Sequence, residues 1–261
     1  MAEARAGGAS GPFGTPTAGD RGTDDPPWSG WSDMGVFDAI FTPRATRIYQ
    51  KRVIADDVLS KILRAGTFAC SSGNTQPWEL VVVTDDQIKD QLQRNLAAAF
   101  ATVDVERTQS AEQLVDGAGR PITGHAAVDN VTNVAVIVMV FWNPDRGVRF
   151  RDEYEENPDG TLRETRFIPG GRGSSLFPAC QNMILAAQAL GVQSLFTTFF
   201  GLVDRQVKAL LHVPPRMFLE SAVFLGYADE ELKRPRRKPL LDVVHLNDWD
   251  NHWGGSPEAR F

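Results

Sequence analysis

Cysteine is nearly absent from this sequence. Cys70 and Cys180 are its only two, too few for a disulfide framework and without the paired spacing of a zinc site. That scarcity suits a reducing compartment, and the cytoplasm is the expected location. Histidine is sparse as well: His125, His212, His245 and His252 are scattered, and each reads as a surface or packing residue rather than a general acid. Long blocks of one charge are missing apart from KRPRRK at 233–238, and 33 acidic residues face 27 basic ones. Without a concentrated positive surface the chain is a poor candidate for wrapping nucleic acid. The N-terminus has neither the basic start and apolar run of a signal peptide nor a membrane span of about twenty apolar residues, so no membrane role is expected. A glycine-rich dinucleotide loop and a nucleophile elbow are both lacking, so neither a Rossmann-held nicotinamide nor an elbow-borne nucleophile is expected.

What is present is apolar patterning. Hydrophobic residues make up 42% of the chain, ample for a sizeable core. Residues 1–31, rich in Gly, Ala, Pro, Ser and Thr, are expected to form a flexible tail whose Trp28 and Trp31 lie down on the domain or on a second subunit. The rest, 32–261, is expected to form the folded domain. Ser32 is a possible N-cap for a helix placing Val36, Phe37, Ile40 and Phe41 on one face, stopped at Thr42-Pro43. Asp56 or Asp57 can cap a second helix, with Val58, Leu59, Ile62, Leu63 and Phe68 lining one face and the SSGN turn ending it. The strand ELVVV follows, then a third helix in which Ile88, Leu92, Leu96 and Phe100 recur every four residues. Residues 103–130 carry little periodicity and read as a loop with one helical turn at most. VAVIVMVFW at 134–142 is apolar on both faces, which marks a central strand covered above and below. The charged stretch 144–173, with Asn157-Pro-Asp-Gly160, suggests a hairpin excursion or lid that Phe150, Tyr154 and Phe167 would anchor. Helix 174–190 is the clearest element, its stripe of Leu176, Cys180, Met183, Ile184, Ala187 and Leu190 ending at Gly191. The strand VQSLFTTFF, the helix VDRQVKALLH and the strand FLESAVFLGY complete an α/β layered pattern in which both sheet faces are covered.

Four stretches carry a further signal: PRATRIY at 43–49, CSSGNTQPWELVVV at 70–83, SSLFPACQNMILAAQALGVQSLFTTF at 174–199, and AVFLGYADEELKRPRRKPLLDVV at 222–244. In that order and spacing, over residues 34–250, the chain resembles the nitroreductase family of FMN-dependent oxidoreductases. The resemblance implies an α+β three-layer fold with a central mixed, largely antiparallel sheet, entwined as a homodimer. It also implies where FMN would lie. The 43–47 segment, with Arg44, Ala45, Thr46 and Arg47, would meet the phosphate end, and two guanidinium forks three residues apart suit a phosphate. Arg236 and Arg237 would close the same phosphate pocket. Cys70, Ser71, Ser72 and Asn74 would touch the flavin held by the other subunit, and the strand through Thr197 and Thr198 would aim a backbone N–H at flavin N5. On residue type alone these positions keep other readings: the arginines as solvated charges, the bend as an ordinary turn, the threonines as cross-strand packing.

Departures from the family pattern are visible too. Many members have Arg-Arg-Ser-x-Arg where this chain has Pro43-Arg44-Ala45-Thr46-Arg47, so one cation and one hydroxyl are missing. Cys70 stands where Pro is frequent and Gln193 where Gly is frequent. The implied activity is a ping-pong oxidoreductase that takes hydride from NAD(P)H through flavin N5 and hands it to a nitroaromatic, quinone or related small aromatic acceptor. No catalytic side chain and no metal are required for it. A non-catalytic FMN-binding or storage dimer is the alternative, and an adaptor acting through the basic 233–238 stretch ranks behind both.

Overall fold

The computed structural model describes residues 32–103, 119, 123–147, 154–164, 171–232 and 237–253. The expected tail at 1–31, the contacts expected of Phe150 and Phe167, and most of 103–122 lie outside the described residues.

Strand β3 (Val136–Trp142) is buried along its whole length, as its unbroken apolar run requires. Its alternation divides the core in two. Ile137, Met139 and Phe141 enter one cluster with Leu92, Leu96, Phe200 and Phe224. Val138, Val140 and Trp142 enter the other with Ile62, Leu176, Cys180 and Met183. Helix α3 (Asp86–Val103), the short α4 (Ala126–Asp129) and α6 (Asp204–Leu210) supply the first side; α2 (Asp56–Thr67) and α5 (Gly173–Ala189) supply the second. Helices on both faces of one sheet give the expected three layers.

The sheet has five strands. On one side of β7 (Phe218–Ala228) lies β3, followed by β2 (Trp78–Val83); on its other side lie β6 (Gln193–Thr197) and the two-residue β1 (Tyr49–Gln50). Among the described residues every ladder of this sheet is antiparallel, and the one parallel element is the isolated bridge Ala45↔Ser194. β4 (Tyr154–Glu156) and β5 (Leu162–Glu164) pair as a separate hairpin. Its turn is the foreseen Asn-Pro-Asp-Gly: Gly160 N donates to the Asn157 carbonyl at 2.9 Å, with a left-handed φ of 76° at Gly160.

Helix ends depart from the sequence expectations. α1 (Val36–Phe41) starts after Gly35, not Ser32, whose hydroxyl instead donates to the Ala189 carbonyl at 2.6 Å. α2 follows Ala55, with Asp56 and Asp57 in its first turn, where they complement the helix dipole. Asp85 does cap α3, its Oδ1 accepting from Gln87 N and Ile88 N at 2.9 Å each. β6 ends at Thr197, because Thr198 opens a 3₁₀ turn over Phe199–Val203.

α2 and α5 approach closely at Gly66, where a Cβ would stand 2.7 Å from Met183 Cγ. Asn182 Nδ2 donates to the Ala65 carbonyl at 3.2 Å in the same seam. α1 touches α5, yet its apolar face turns outward: Phe37 and Phe41 are each 68% exposed and only Ala39 is buried. The chain divides at Glu230. Residues 231–261 form a smaller unit with a short turn at Leu240–Asp242, a His245↔His252 bridge and exposed Val243, Leu246 and Trp249.

Candidate functional site

Segment 43–47 lies along β6. Ala45 bridges Ser194, and Thr46 N donates to the Ser194 carbonyl at 3.0 Å. The carboxylate of Glu230 then receives the next two amides on one oxygen, Arg47 N at 2.8 Å and Ile48 N at 3.1 Å. This docking carries Arg47 from the N-terminal part of the chain to the end of β6. There, Arg47, Thr197, Thr198, Leu195, Phe196 and Phe199 line a concavity of about 220 Å³, together with His125 and Ala127. The Arg47 side chain is held at its own backbone, Nη1 donating to the Ala45 carbonyl at 3.0 Å. Thr197 is buried, and its Oγ1 accepts from Phe199 N at 3.1 Å, which turns the chain out of the strand. Thr198 is exposed.

The other foreseen residues are placed differently. Arg44 is half-buried, its Nη1 donating to the Pro43 carbonyl at 2.6 Å, and Thr46 is fully buried. Neither lines the concavity. Arg236 lies outside the described residues; Arg237 is exposed within the smaller C-terminal unit. The bend after α2 exposes Cys70, Ser72 and Asn74 and keeps Ser71 half-buried. It does not line the Arg47–Thr198 concavity of its own chain. Most of its amides are engaged: Asn74 N reaches the Ser71 carbonyl at 3.0 Å, Thr75 N the Ser72 carbonyl at 3.2 Å, Gln76 N the Ser71 Oγ at 3.0 Å, and Ser72 N the Ser175 Oγ at 3.4 Å. Gly73, Asn74 and Gln76 all adopt left-handed φ, at 58°, 54° and 47°, a conformation common only for Gly and Asn.

Beneath β1, the Tyr49 phenol is buried; burial first and the nearby Glu230 charge second push its pKa well up. Its hydroxyl has no hydrogen-bond partner among the described residues. A larger cavity of about 880 Å³ lies between the β4–β5 hairpin and α6, bordered by Arg172, Arg205, Lys208, Asp159, Asp204 and Phe218. Arg172 pairs with Glu220, and Lys208 Nζ with Asp204 Oδ2 at 2.8 Å, so its cations are largely balanced by acids. The hairpin that the sequence marked as a lid therefore contributes Asp159, Thr161 and Leu162 to this cavity. Among the described residues no cluster of His, Cys, Asp or Glu is fit to hold a metal ion, and no helix is long and apolar enough to cross a membrane.

Of the residues singled out in the sequence, Arg47, Thr197 and Thr198 come together in this concavity; His125, Phe196 and Phe199, which line it with them, were not among those singled out. His125 stands in a stretch without periodicity, and nothing near it in sequence announces a site.

These features define a three-layer α+β protein with an arginine- and threonine-lined slot, walled by aromatic rings, at the end of a sheet strand. The nitroreductase family model matches residues 41–227, and the chain belongs to the nitroreductase family. It is 27% identical over 207 residues to an NADH dehydrogenase of Thermus thermophilus, covering 77% of this chain and 90% of that protein. Among solved structures it is similar to a nitroreductase with bound FMN from Bacteroides fragilis, at 22% identity and TM-score 0.59, over 82% of this chain and 100% of that one. The NADPH:FMN oxidoreductase of Vibrio harveyi complexed with NAD+ is similar at 21% identity and TM-score 0.59, over 83% of this chain and 78% of that one. Both likenesses concern the fold.

Proposed function

We propose that this chain is an FMN-dependent NAD(P)H oxidoreductase, working as a homodimer on nitroaromatic, quinone or related small aromatic acceptors. One observation carries the reading: Arg47, Thr197 and Thr198, remote in sequence, line one concavity. A guanidinium and small polar residues beside aromatic walls are the donor set that a phosphorylated, flat cofactor requires. Bound FMN would supply two-electron hydride chemistry, taken from the nicotinamide and returned to the acceptor. The chain's part is to hold and orient. Arg47 offers a cation to the anionic groups, Thr198 and the end of β6 offer backbone to the ring edge, and Phe196 and Phe199 give it an apolar wall.

The volume of about 220 Å³ is below the roughly 300–1,000 Å³ of pockets that enclose drug-sized ligands, so one chain encloses only part of such a cofactor. The exposed bend at Cys70–Asn74 and the outward apolar face of α1 supply surfaces by which a second copy would complete it. Arg44 and Ala45, on the segment that carries Arg47, would meet the phosphate end, as the family resemblance implies.

Purified protein tests the proposal directly. It should be yellow, bleach with NADH or NADPH and regain colour with a nitroarene or quinone, and it should sediment as a dimer that the pair Phe37→Asp and Phe41→Asp drives to monomer. Bound flavin that stays oxidised would favour storage over catalysis; a colourless monomer that takes up no FMN would refute the proposal.

A further inference from the structure

His125 occupies an unusual position in the concavity. Its imidazole stands 5.3 Å from the Phe100 ring and 5.0 Å, edge to face, from Phe199, while the two phenyl rings lie 5.1 Å apart. Three aromatic rings thus pack as one unit, with His125 the polar member. The backbone beneath is fixed with equal care. Asp129 Oδ1 accepts from Thr123 N and Thr123 Oγ1 at 2.8 Å each, and its Oδ2 accepts from Gly124 N at 2.9 Å. Thr123 Oγ1 in turn accepts from His125 N at 3.0 Å. The His125 carbonyl receives Val128 N at 2.8 Å and Asp129 N at 3.0 Å, opening α4. Buried Gln93 ties this turn to α3, donating to the Asp129 carbonyl at 3.1 Å and accepting from Thr132 N at 3.2 Å.

Against this, the imidazole itself is not satisfied: Nδ1 is buried and has no hydrogen-bond partner among the described residues. A buried nitrogen left unpaired is costly, and a purely structural aromatic at this place would be better filled by a third Phe. Half a turn of the ring exchanges Nδ1 with Cδ2 in nearly the same shape, so the fold leaves the imidazole's hydrogen bonding to be settled by what enters the concavity. Such a residue, rigid in backbone and packing yet unspent in its polar atoms, has the form of a recognition contact.

We propose that His125 is the polar contact by which this concavity recognises its occupant, donating an imidazole N–H to an oxygen borne on a planar ring that lies against Phe199. The assignment rests on the flavin-enzyme reading above. The carbonyl oxygens of flavin and the oxygen substituents of an aromatic acceptor share this chemistry, and the experiment separates them.

The full chain would be prepared as wild type, His125→Phe, which keeps the aromatic packing, and His125→Gln, which restores a donor. Dissociation constants would be measured for FMN by fluorescence quenching and for 4-nitrobenzoate on the flavin-loaded protein by its perturbation of the flavin spectrum. His125→Phe should weaken one of the two by about tenfold, the worth of one hydrogen bond, with partial recovery in His125→Gln. Loss in the FMN titration places the oxygen on the cofactor; loss in the 4-nitrobenzoate titration places it on the acceptor. Unchanged constants for both in a folded His125→Phe protein overturn the proposal. If that variant does not fold, the ¹⁵N resonances of the wild-type imidazole decide, since they should move when either probe is added and their constancy refutes the contact. Failure of the flavin reading shows separately, as a wild-type chain that takes up no FMN. In that chain a 4-nitrobenzoate-induced imidazole shift still supports the His125 contact, and none overturns it.

Discussion

Removing the guanidinium of Arg47 tests how the concavity grips an anion. In Arg47→Ala, the Nη1 hydrogen bond to Ala45 is lost along with the charge that the 43–47 segment brings to the end of β6. That bond uses one of the five N–H donors a guanidinium carries, so the group can serve a ligand while remaining tethered. A hydrogen bond to a charged group contributes about 1.5–3 kcal/mol. Arg47 is exposed, and solvent screening moves the expected loss to the lower end, about 1.5 kcal/mol or roughly a tenfold rise in the FMN dissociation constant. Arg47→Lys should fall between, keeping the charge without the planar fork. Titrations at low and high salt sharpen the test, because the wild-type advantage should shrink as ions screen the charge. Thermal stability should stay within about 0.5 kcal/mol of wild type, since the side chain takes no part in the core. A folded Arg47→Ala protein with wild-type FMN affinity and wild-type salt dependence would refute the reasoning.

Two further outcomes follow from the packing. In Gly226→Ala a Cβ would stand 2.7 Å from Tyr49 Cδ1, where β7 passes from β6 to β1; overpacking of this kind should cost about 1–3 kcal/mol and lower the circular-dichroism melting midpoint by several degrees, and an unmoved midpoint would contradict the register. Burial pushes the Cys180 thiol up to about 11 against an ordinary 9.0, with Ser221 partly opposing. Above pH 9 the unfolded chain therefore gives up that proton while the folded one retains it, so stability should decline from pH 9 towards 11, and Cys180→Ala should flatten the decline in urea titrations. An identical slope in the variant would remove Cys180 as its source.

The layered core was legible because burial leaves plain marks on sequence. The all-apolar run of β3, the four-residue recurrence of Ile88, Leu92, Leu96 and Phe100, and the α5 stripe closed by Gly191 each obey one geometric period. Helix starts were less so, since Gly35 and Ala55 hold the N-cap positions without any side-chain hydrogen bond. The outward turn of α1 was hidden as well, because a periodic apolar face is written identically whether its cover is the same chain or another. Arg47, Thr197 and Thr198, which line one concavity, were singled out through an ordered set of motifs. His125 was not, because its surroundings are assembled by Phe100 and Phe199, distant in sequence from it and from each other. Likewise the burial of Thr46 follows from its docking on Ser194 and has no local signature.

The bend between α2 and β2 has one more implication. Its left-handed residues and its local hydrogen bonds set its outline before any encounter. A surface already frozen in shape surrenders little chain entropy on docking, so whatever it meets should associate quickly and with little adjustment. Substituting Gln76, whose φ is 47°, by a β-branched residue, which resists positive φ, would loosen that outline and slow the encounter.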